Sequence, residues 1–366
     1  MADYIIIIKI MEFAMIKKIT KGIFIFLAIT AVVVLVMIGV LFAAKMFADI
    51  GNNGGASAVD KNPNTQSVQS ENLRLNVLVM GKDRTSGLCD MIMLASYDVA
   101  SKCVGVVQIP RDTYAEYTEA SYKKINGAPN SLGSERAFCD FLSETLCVKI
   151  DKYVTVDLEA VGEVVDLIGG VEVDIPFDMN YRDPAQGLSI QLKKGKTVLD
   201  GEKAQQFVRY RSGYAEGDIG RMDAQKIFLA ALAGKLKTNT SLFRIKEIFD
   251  AVRDDVSTDI SMGDIVIFAA QAFAVPSENV RFVTLAGESA VAKSSGASYY
   301  VISRSSAIEI VNEFLGGYAD EKSFDRQGVF LNDKYDSFSD IYYSDAEYTV
   351  YDAKSLIEGQ MHIAHK

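Results

Sequence analysis

The chain has 366 residues, is 49% hydrophobic and carries a formal net charge of −10. That length and apolar content suffice for one large or two small domains with a packed core. The acidic balance excludes a general nucleic-acid binder, and two histidines, His362 and His365, argue against a zinc site or His-based acid–base catalysis.

In chain order, the first strong signal is Gly22 to Ala44, which contains no charged residue. At about 1.5 Å per residue such a helix spans roughly 34 Å, enough for a bilayer core. Lys17, Lys18 and Lys21 precede it. The positive-inside rule therefore puts residues 1–21 in the cytoplasm and everything after the span outside. Phe42-Ala43-Ala44 also resembles a signal-peptide cleavage site. The apolar run exceeds a typical h-region of about 7–15 residues, which favours a retained single-pass anchor. Residues 45–72 are rich in Gly, Asn and Ser and read as a flexible linker. Five lysines and two acids lie in the first 48 residues, so the outer part holds 33 basic and 46 acidic residues.

The folded domain is expected over residues 73–317. Leu75–Met80, Met91–Tyr97 and Val104–Ile109 are nearly continuous apolar runs, the pattern of strands covered on both faces. Glu135–Cys147 reads as an amphipathic helix, Tyr153–Asp157 as a strand, Leu158–Ile168 as a helix and Val171–Ile175 as an alternating strand. A capped helix starts at Asp200 and runs to Arg209, Gly213 and Gly217 break the chain, and a second helix begins near Asp218. Helices at Leu242–Val252, Met262–Phe273 and Ser303–Phe314 and strands at Val280–Leu285 and Ser298–Ile302 complete the series. Interspersed strands and helices point to an α/β domain with a central sheet between helix layers. Residues 318–366 turn polar and read as an appendage. Cys89, Cys103, Cys139 and Cys147 show no C-x-x-C spacing and are compatible with buried thiols or with disulfides.

Charged residues gather at a few places. Arg209, Arg211, Asp218, Arg221 and Gln225 fall within 17 positions. Arginine presents a planar fork that fits phosphate oxygens in pairs, so three of them suit a pyrophosphate; the competing reading is a solvated helix end with ordinary surface pairs. Asp83 and Asp90 flank one loop between two strands, either as a polar turn or as carboxylates sharing a hard cation such as Mg²⁺. Arg111 follows Pro110 at the end of a strand, where ligands of α/β sheets tend to sit. Lys124 stands in Lys123-Lys124-Ile125-Asn126, a weak signal alone.

The order of these motifs resembles the LytR-CpsA-Psr family: G-x-D at Gly81–Asp83, Asp90 before an apolar strand, I-P-R-D-T at 109–113, K-I-N at 124–126, D-G-E-x-A at 200–204, R-Y-R at 209–211 and G-D-x-G-R-x-x-x-Q at 217–225. The resemblance implies an α-β-α sandwich with a central mixed sheet and a long apolar pocket for a polyprenyl chain. It implies a membrane-anchored, outward-facing phosphotransferase that moves an anionic glycopolymer (teichoic acid, capsule or a related glycan) from undecaprenyl pyrophosphate onto peptidoglycan, with Mg²⁺ near the pyrophosphate. Carried over, Asp83 and Asp90 match the metal-associated aspartates; Arg111, Lys124, Arg209 and Arg211 match pyrophosphate contacts; Asp218, Arg221 and Gln225 match the cluster closing the head-group site. Asp83, Asp90, Arg111, Arg209 and Arg211 are the expected catalytic set. Leu88 and Ala224 stand where many members carry arginine, and Arg84 is a possible spatial substitute. Hydrolysis of the lipid pyrophosphate, and prenyl-pyrophosphate sensing without turnover, are the alternative readings.

Overall fold

The computed structural model describes residues 74–83, 86–98, 100–117, 123–157, 160–183, 188–239, 242–261, 265, 275–320, 338–339 and 346–365. The expected anchor (22–44), the linker (45–72), Arg84 and nearly all of the helix expected at Met262–Phe273 lie outside these residues.

The chain enters the fold on β1 (Arg74–Lys82), turns into β2 (Cys89–Asp98) and returns on β3 (Cys103–Gln108). Successive strand side chains point to opposite faces. In β1, Val77 and Val79 enter one core and Leu78 and Met80 the other, which is why the run is apolar without alternation. The short α1 (Ala128–Leu132) and α2 (Glu135–Leu146) follow, and Ser134 caps α2 by accepting the Ala137 N–H at 3.1 Å. β4 (Lys152–Asp157) then pairs parallel with β1, and α3 (Val161–Leu167) leads to β5 (Val171–Ile175).

β6 (Met179–Asp183) and β7 (Leu188–Leu192) form an antiparallel pair nested inside a second pair, β5 with β8 (Gly195–Leu199). Next come α4 (Gly201–Arg209), α5 (Asp218–Asn239), α6 (Leu242–Val252) and β9 (Val256–Thr258). The rest of the domain is β10 (Val280–Thr284), β11 (Gly287–Ala292), β12 (Ser298–Ile302) and α7 (Arg304–Leu315), followed by β13 (Phe338–Ser339), β14 (Tyr351–Asp352) and α8 (Ala353–Ile357).

The main sheet has seven strands in the order β14-β10-β3-β2-β1-β4-β9. The β1–β4 and β3–β10 pairs are parallel and the others antiparallel, so the sheet is mixed. One face is covered by residues of α3 to α6, the other by residues of α2 and α7. The carboxyl ends of β1, β3, β4 and β10 share one sheet edge with the start of β2, and this edge places the site.

Within the expected appendage (318–366), described residues pack onto the domain. Tyr351 and Asp352 pair in register with Phe282 and Arg281 at the edge of the main sheet, and Leu356, Met361 and Ile363 are buried in the same core as α5. A five-residue helix and a two-residue strand carry too few apolar positions to register as periodicity. Leu356→Ala is expected to lower unfolding free energy by about 2–5 kcal/mol, measured by denaturant titration; an unchanged midpoint would return this segment to the status of an appendage. The four cysteines are free thiols, three of them buried. Burial pushes the thiols of Cys89 and Cys139 up to about 12.

Candidate active site

Every expected site residue except Lys124 comes to one place at the sheet edge. A cleft of ≈ 380 Å³ is lined by Asp83, Asp90, Arg111, Arg209, Arg211, Arg221 and Gln225, together with Tyr181, Leu188, Val208 and Ser212. Asp218 stands behind this lining and holds two of its arginines.

Local chain geometry aims each group. The Asp83 N–H donates to the Leu88 carbonyl at 2.8 Å, and Asp83 Oδ1 accepts the Ser86 N–H at 2.6 Å. This side-chain-to-backbone turn, typical of Asp, closes the loop after β1. Asn130 Nδ2 braces it through the Gly87 carbonyl at 2.7 Å. Leu88 serves the loop through its backbone, and Ala224 is fully buried in the core. Neither position offers a cation to the cleft. Asp90 is the second residue of β2 rather than a residue before the strand.

The cations are held unequally. Arg221 is 4% exposed and donates to Asp218 Oδ2 at 3.0 Å and to the Asp90 carbonyl at 3.3 Å. Burial pulls its guanidinium below the ordinary value more than Asp218 restores it. Arg111 donates to Asp90 Oδ1 and lies 3.4 Å from Asp218 Oδ1. Burial opposes the Arg111 charge too, but Asp218 and Asp90 outweigh it and leave the group above its usual range. Arg209 ends α4 and sits 4.0 Å from Asp83 Oδ2. Arg211 is exposed and has no ion-pair partner among the described residues. Four guanidiniums thus face three carboxylates, and the excess positive charge resides on Arg211, in the mouth of the cleft.

The loop carrying Arg211 is pinned from below. Phe177 packs against Tyr214 and His365 with ring centroids 5.4 and 4.3 Å apart, and Tyr210 meets Tyr214 at 5.5 Å. The Ala215 N–H donates to the Ala364 carbonyl at 3.0 Å, so the C-terminal segment holds the loop. Gly217 takes φ +59°, a left-handed turn that suits glycine, just before α5 begins. At Gly220 a Cβ would meet Tyr214 Cβ at 2.6 Å, so only glycine lets α5 approach the loop this closely.

Two expected residues act differently from expectation. Lys124 does not line the cleft; its Nζ pairs with Asp112 Oδ1 at 3.0 Å and braces the segment behind Arg111. Gln225 is 4% exposed, accepts from Gln108 Nε2 at 2.9 Å and donates to the Val208 carbonyl at 3.3 Å, tying α5 to β3 and α4. Tyr181, Leu188, Val208 and Ser212 were not expected. The first two sit on the β6–β7 hairpin, and the alternation Leu188-Ser189-Ile190-Gln191-Leu192 was its available signal.

A family model described as the LytR_cpsA_psr family matches residues 42–314. The chain belongs to the LytR_cpsA_psr family. It is similar to the polyisoprenyl-teichoic acid–peptidoglycan teichoic acid transferase TagV of Bacillus subtilis, 30% identical over 67% of this chain and 65% of that protein. The chain thus spans just under two thirds of that relative's length. It is also similar to the transferase TagU of Oceanobacillus iheyensis, at 26% identity over 72% of this chain and 82% of the relative. The crystal structure of Bacillus subtilis TagV superposes with a TM-score of 0.58 at 26% identity, over 67% of this chain and 98% of that one. This LytR_cpsA_psr domain therefore has the mixed α/β architecture of its solved relatives, and its arginines and aspartates occupy the edge of the shared central sheet.

Proposed function

We propose that this protein moves an anionic glycopolymer from a polyprenyl-pyrophosphate carrier onto peptidoglycan, and that the arginine cleft holds the pyrophosphate. The observation that carries the reading is the convergence of Arg111, Arg209, Arg211 and Arg221 on one cleft in an acidic protein. The names of the family relatives, which are teichoic acid transferases, support it. Phosphoryl transfer asks a protein chiefly for positioning and charge neutralisation, and no cysteine or histidine lines the cleft among the described residues.

In the step we infer, a peptidoglycan hydroxyl oxygen forms a bond to the sugar-proximal phosphorus. The bond from that phosphorus to the bridging oxygen breaks, and lipid monophosphate leaves with the electron pair. Arg209 and Arg211 meet the charge gathering on the phosphoryl oxygens, and Arg111 and Arg221 are fixed in place by Asp218. The hydroxyl proton passes to a carboxylate of the cleft, Asp83 or Asp90, or to solvent.

The residues fit a magnesium ion shared with substrate. Asp83 and Asp90 both line the cleft, and their carboxylates are the groups that would hold such an ion. Among the described residues no group of three or more His, Cys, Asp or Glu could hold a metal alone. Two carboxylates completed by phosphate oxygens and water match the usual habit of Mg²⁺. When bound, the ion would supply charge neutralisation at the pyrophosphate. The anchor at 22–44 would hold the domain outside the membrane and beside its lipid substrate, raising effective concentration.

The test uses the full-length chain in detergent with a prenyl-pyrophosphate-linked glycan labelled at phosphorus, and peptidoglycan as acceptor. Label retained on peptidoglycan supports transfer, whereas label released only as free glycan phosphate supports hydrolysis. Binding with neither product supports a sensor. Asp83→Asn is expected to raise the Mg²⁺ concentration for half-maximal transfer by about tenfold or more; an unchanged requirement would remove Asp83 from the ion's site.

A further inference from the structure

A second cavity, ≈ 490 Å³, opens on the other side of α5. Ile219, Asp223 and Lys226 face it, whereas Arg221 and Gln225 face the arginine cleft. Helical periodicity puts these two sets on opposite sides. The two cavities share a wall. Thr284 lines the second cavity and pairs in register with Gln108, whose amide holds Gln225 of the first. Tyr300 lines the second cavity and donates its N–H at 2.9 Å to the carbonyl of Asp112, the neighbour of Arg111. Glu216, also on the lining, precedes Asp218 by two residues.

The chemistry of this cavity is opposite to that of the first. Its single lysine, Lys226, is 3% exposed and bonded to Asp223 at 2.7 Å, so it is not available to a ligand. Glu216 and Glu347 are exposed carboxylates on the lining. A phosphorylated polymer would be repelled there, whereas neighbouring sugar hydroxyls can donate to a carboxylate pairwise. Tyr348 and Tyr351 of the C-terminal segment add aromatic faces beside Tyr300. Thr284 Oγ1 is buried without a hydrogen-bond partner. A buried hydroxyl left unpaired is unfavourable, and a hydroxylated ligand would satisfy it.

We propose that this cavity binds the acceptor through its glycan backbone, an uncharged chain of N-acetylated amino sugars. Its hydroxyls would meet Glu216, Glu347 and Thr284, and its ring faces the tyrosines. The bound chain would then lie across that shared wall from the pyrophosphate and reach it past the first turn of α5. This inference rests on the transferase reading above and adds to it a second subsite, built partly by the C-terminal segment.

The test titrates the full-length chain, in a detergent without sugar head groups, with the tetrasaccharide of N-acetylglucosamine by calorimetry. Geranylgeranyl pyrophosphate binding is measured on the same samples. The wild type is expected to bind both. Thr284→Val and Glu347→Gln are each expected to weaken saccharide binding by about tenfold, the worth of one good hydrogen bond, with pyrophosphate binding unchanged. Thr284→Val is also expected to leave the thermal midpoint unchanged or raised, because it removes an unpaired hydroxyl. A purely structural threonine would give the reverse, a lowered midpoint with unchanged saccharide affinity, and that result would overturn the proposal. Wild-type chain that binds the pyrophosphate but not the saccharide overturns the acceptor site alone. Wild-type chain that binds the saccharide but not the pyrophosphate overturns the transferase reading, and the acceptor role with it.

Discussion

Arg211→Ala is expected to lower glycopolymer transfer by about 10²–10³-fold while leaving the thermal midpoint where it is. The two halves of that expectation have separate physical origins. Arg211 is exposed and makes no ion pair among the described residues, so the fold draws little from its guanidinium. In the cleft it is the cation not already balanced by a carboxylate, and so the one best able to meet charge developing on a phosphoryl oxygen. Arg211→Lys keeps the charge but loses the paired donors of the guanidinium, and an intermediate rate is expected. Transfer at the wild-type rate by Arg211→Ala would remove this residue from the reaction. A large loss of stability would show that the backbone of the loop, pinned through Ala215 and Ala364, depends on the side chain after all.

Asp218→Ala is expected to act through stability first. Asp218 lies between Arg111 and Arg221, at 3.4 and 3.0 Å, and Arg221 is 4% exposed. Removing the carboxylate leaves a buried guanidinium without its main counter-charge and facing a second one, a change that typically costs about 3–5 kcal/mol. Denaturant unfolding measures it. The double variant Asp218→Ala/Arg221→Met is expected to recover most of the loss, because a buried pair replaced by apolar groups is often neutral. Transfer is expected to stay low in both variants, since Arg111 loses its orientation. Equal stabilities for wild type and Asp218→Ala would mean that solvent, not Asp218, balances Arg221.

The site was legible in the sequence to the extent that its residues stand at ends of strongly patterned elements. β1, β2 and β3 are continuous apolar runs, so Asp83, Asp90 and Arg111 at their ends could be placed on one sheet edge. Asp200 as a cap and Gly217 as a breaker bounded α4 and α5 and fixed Arg209 and Arg221 on them. What sequence reasoning lost were short elements whose reason for existing is tertiary. The β6–β7 hairpin brings Tyr181 and Leu188 to the cleft through five-residue strands. The C-terminal segment reads as polar because its buried residues, Leu356, Met361 and Ile363, are spaced by docking rather than by a helical or strand period. Lys124 shows the converse: its match to the K-I-N motif put it in the site, whereas its ion-pair partner, Asp112, draws it behind the cleft. The resemblance to the LytR-CpsA-Psr family, now matched over residues 42–314, supplied the reaction class that residue patterns alone left open between a pyrophosphate site and a charged helix end.

On the reading proposed above, the four arginines hold a lipid-linked pyrophosphate. A crystal structure of the chain grown with geranylgeranyl pyrophosphate and Mg²⁺ tests it most directly. Both phosphates are expected among Arg111, Arg209, Arg211 and Arg221, with the metal between them and Asp83 or Asp90. Pyrophosphate bound elsewhere on the domain, with the cleft arginines still paired only to their aspartates, would contradict it.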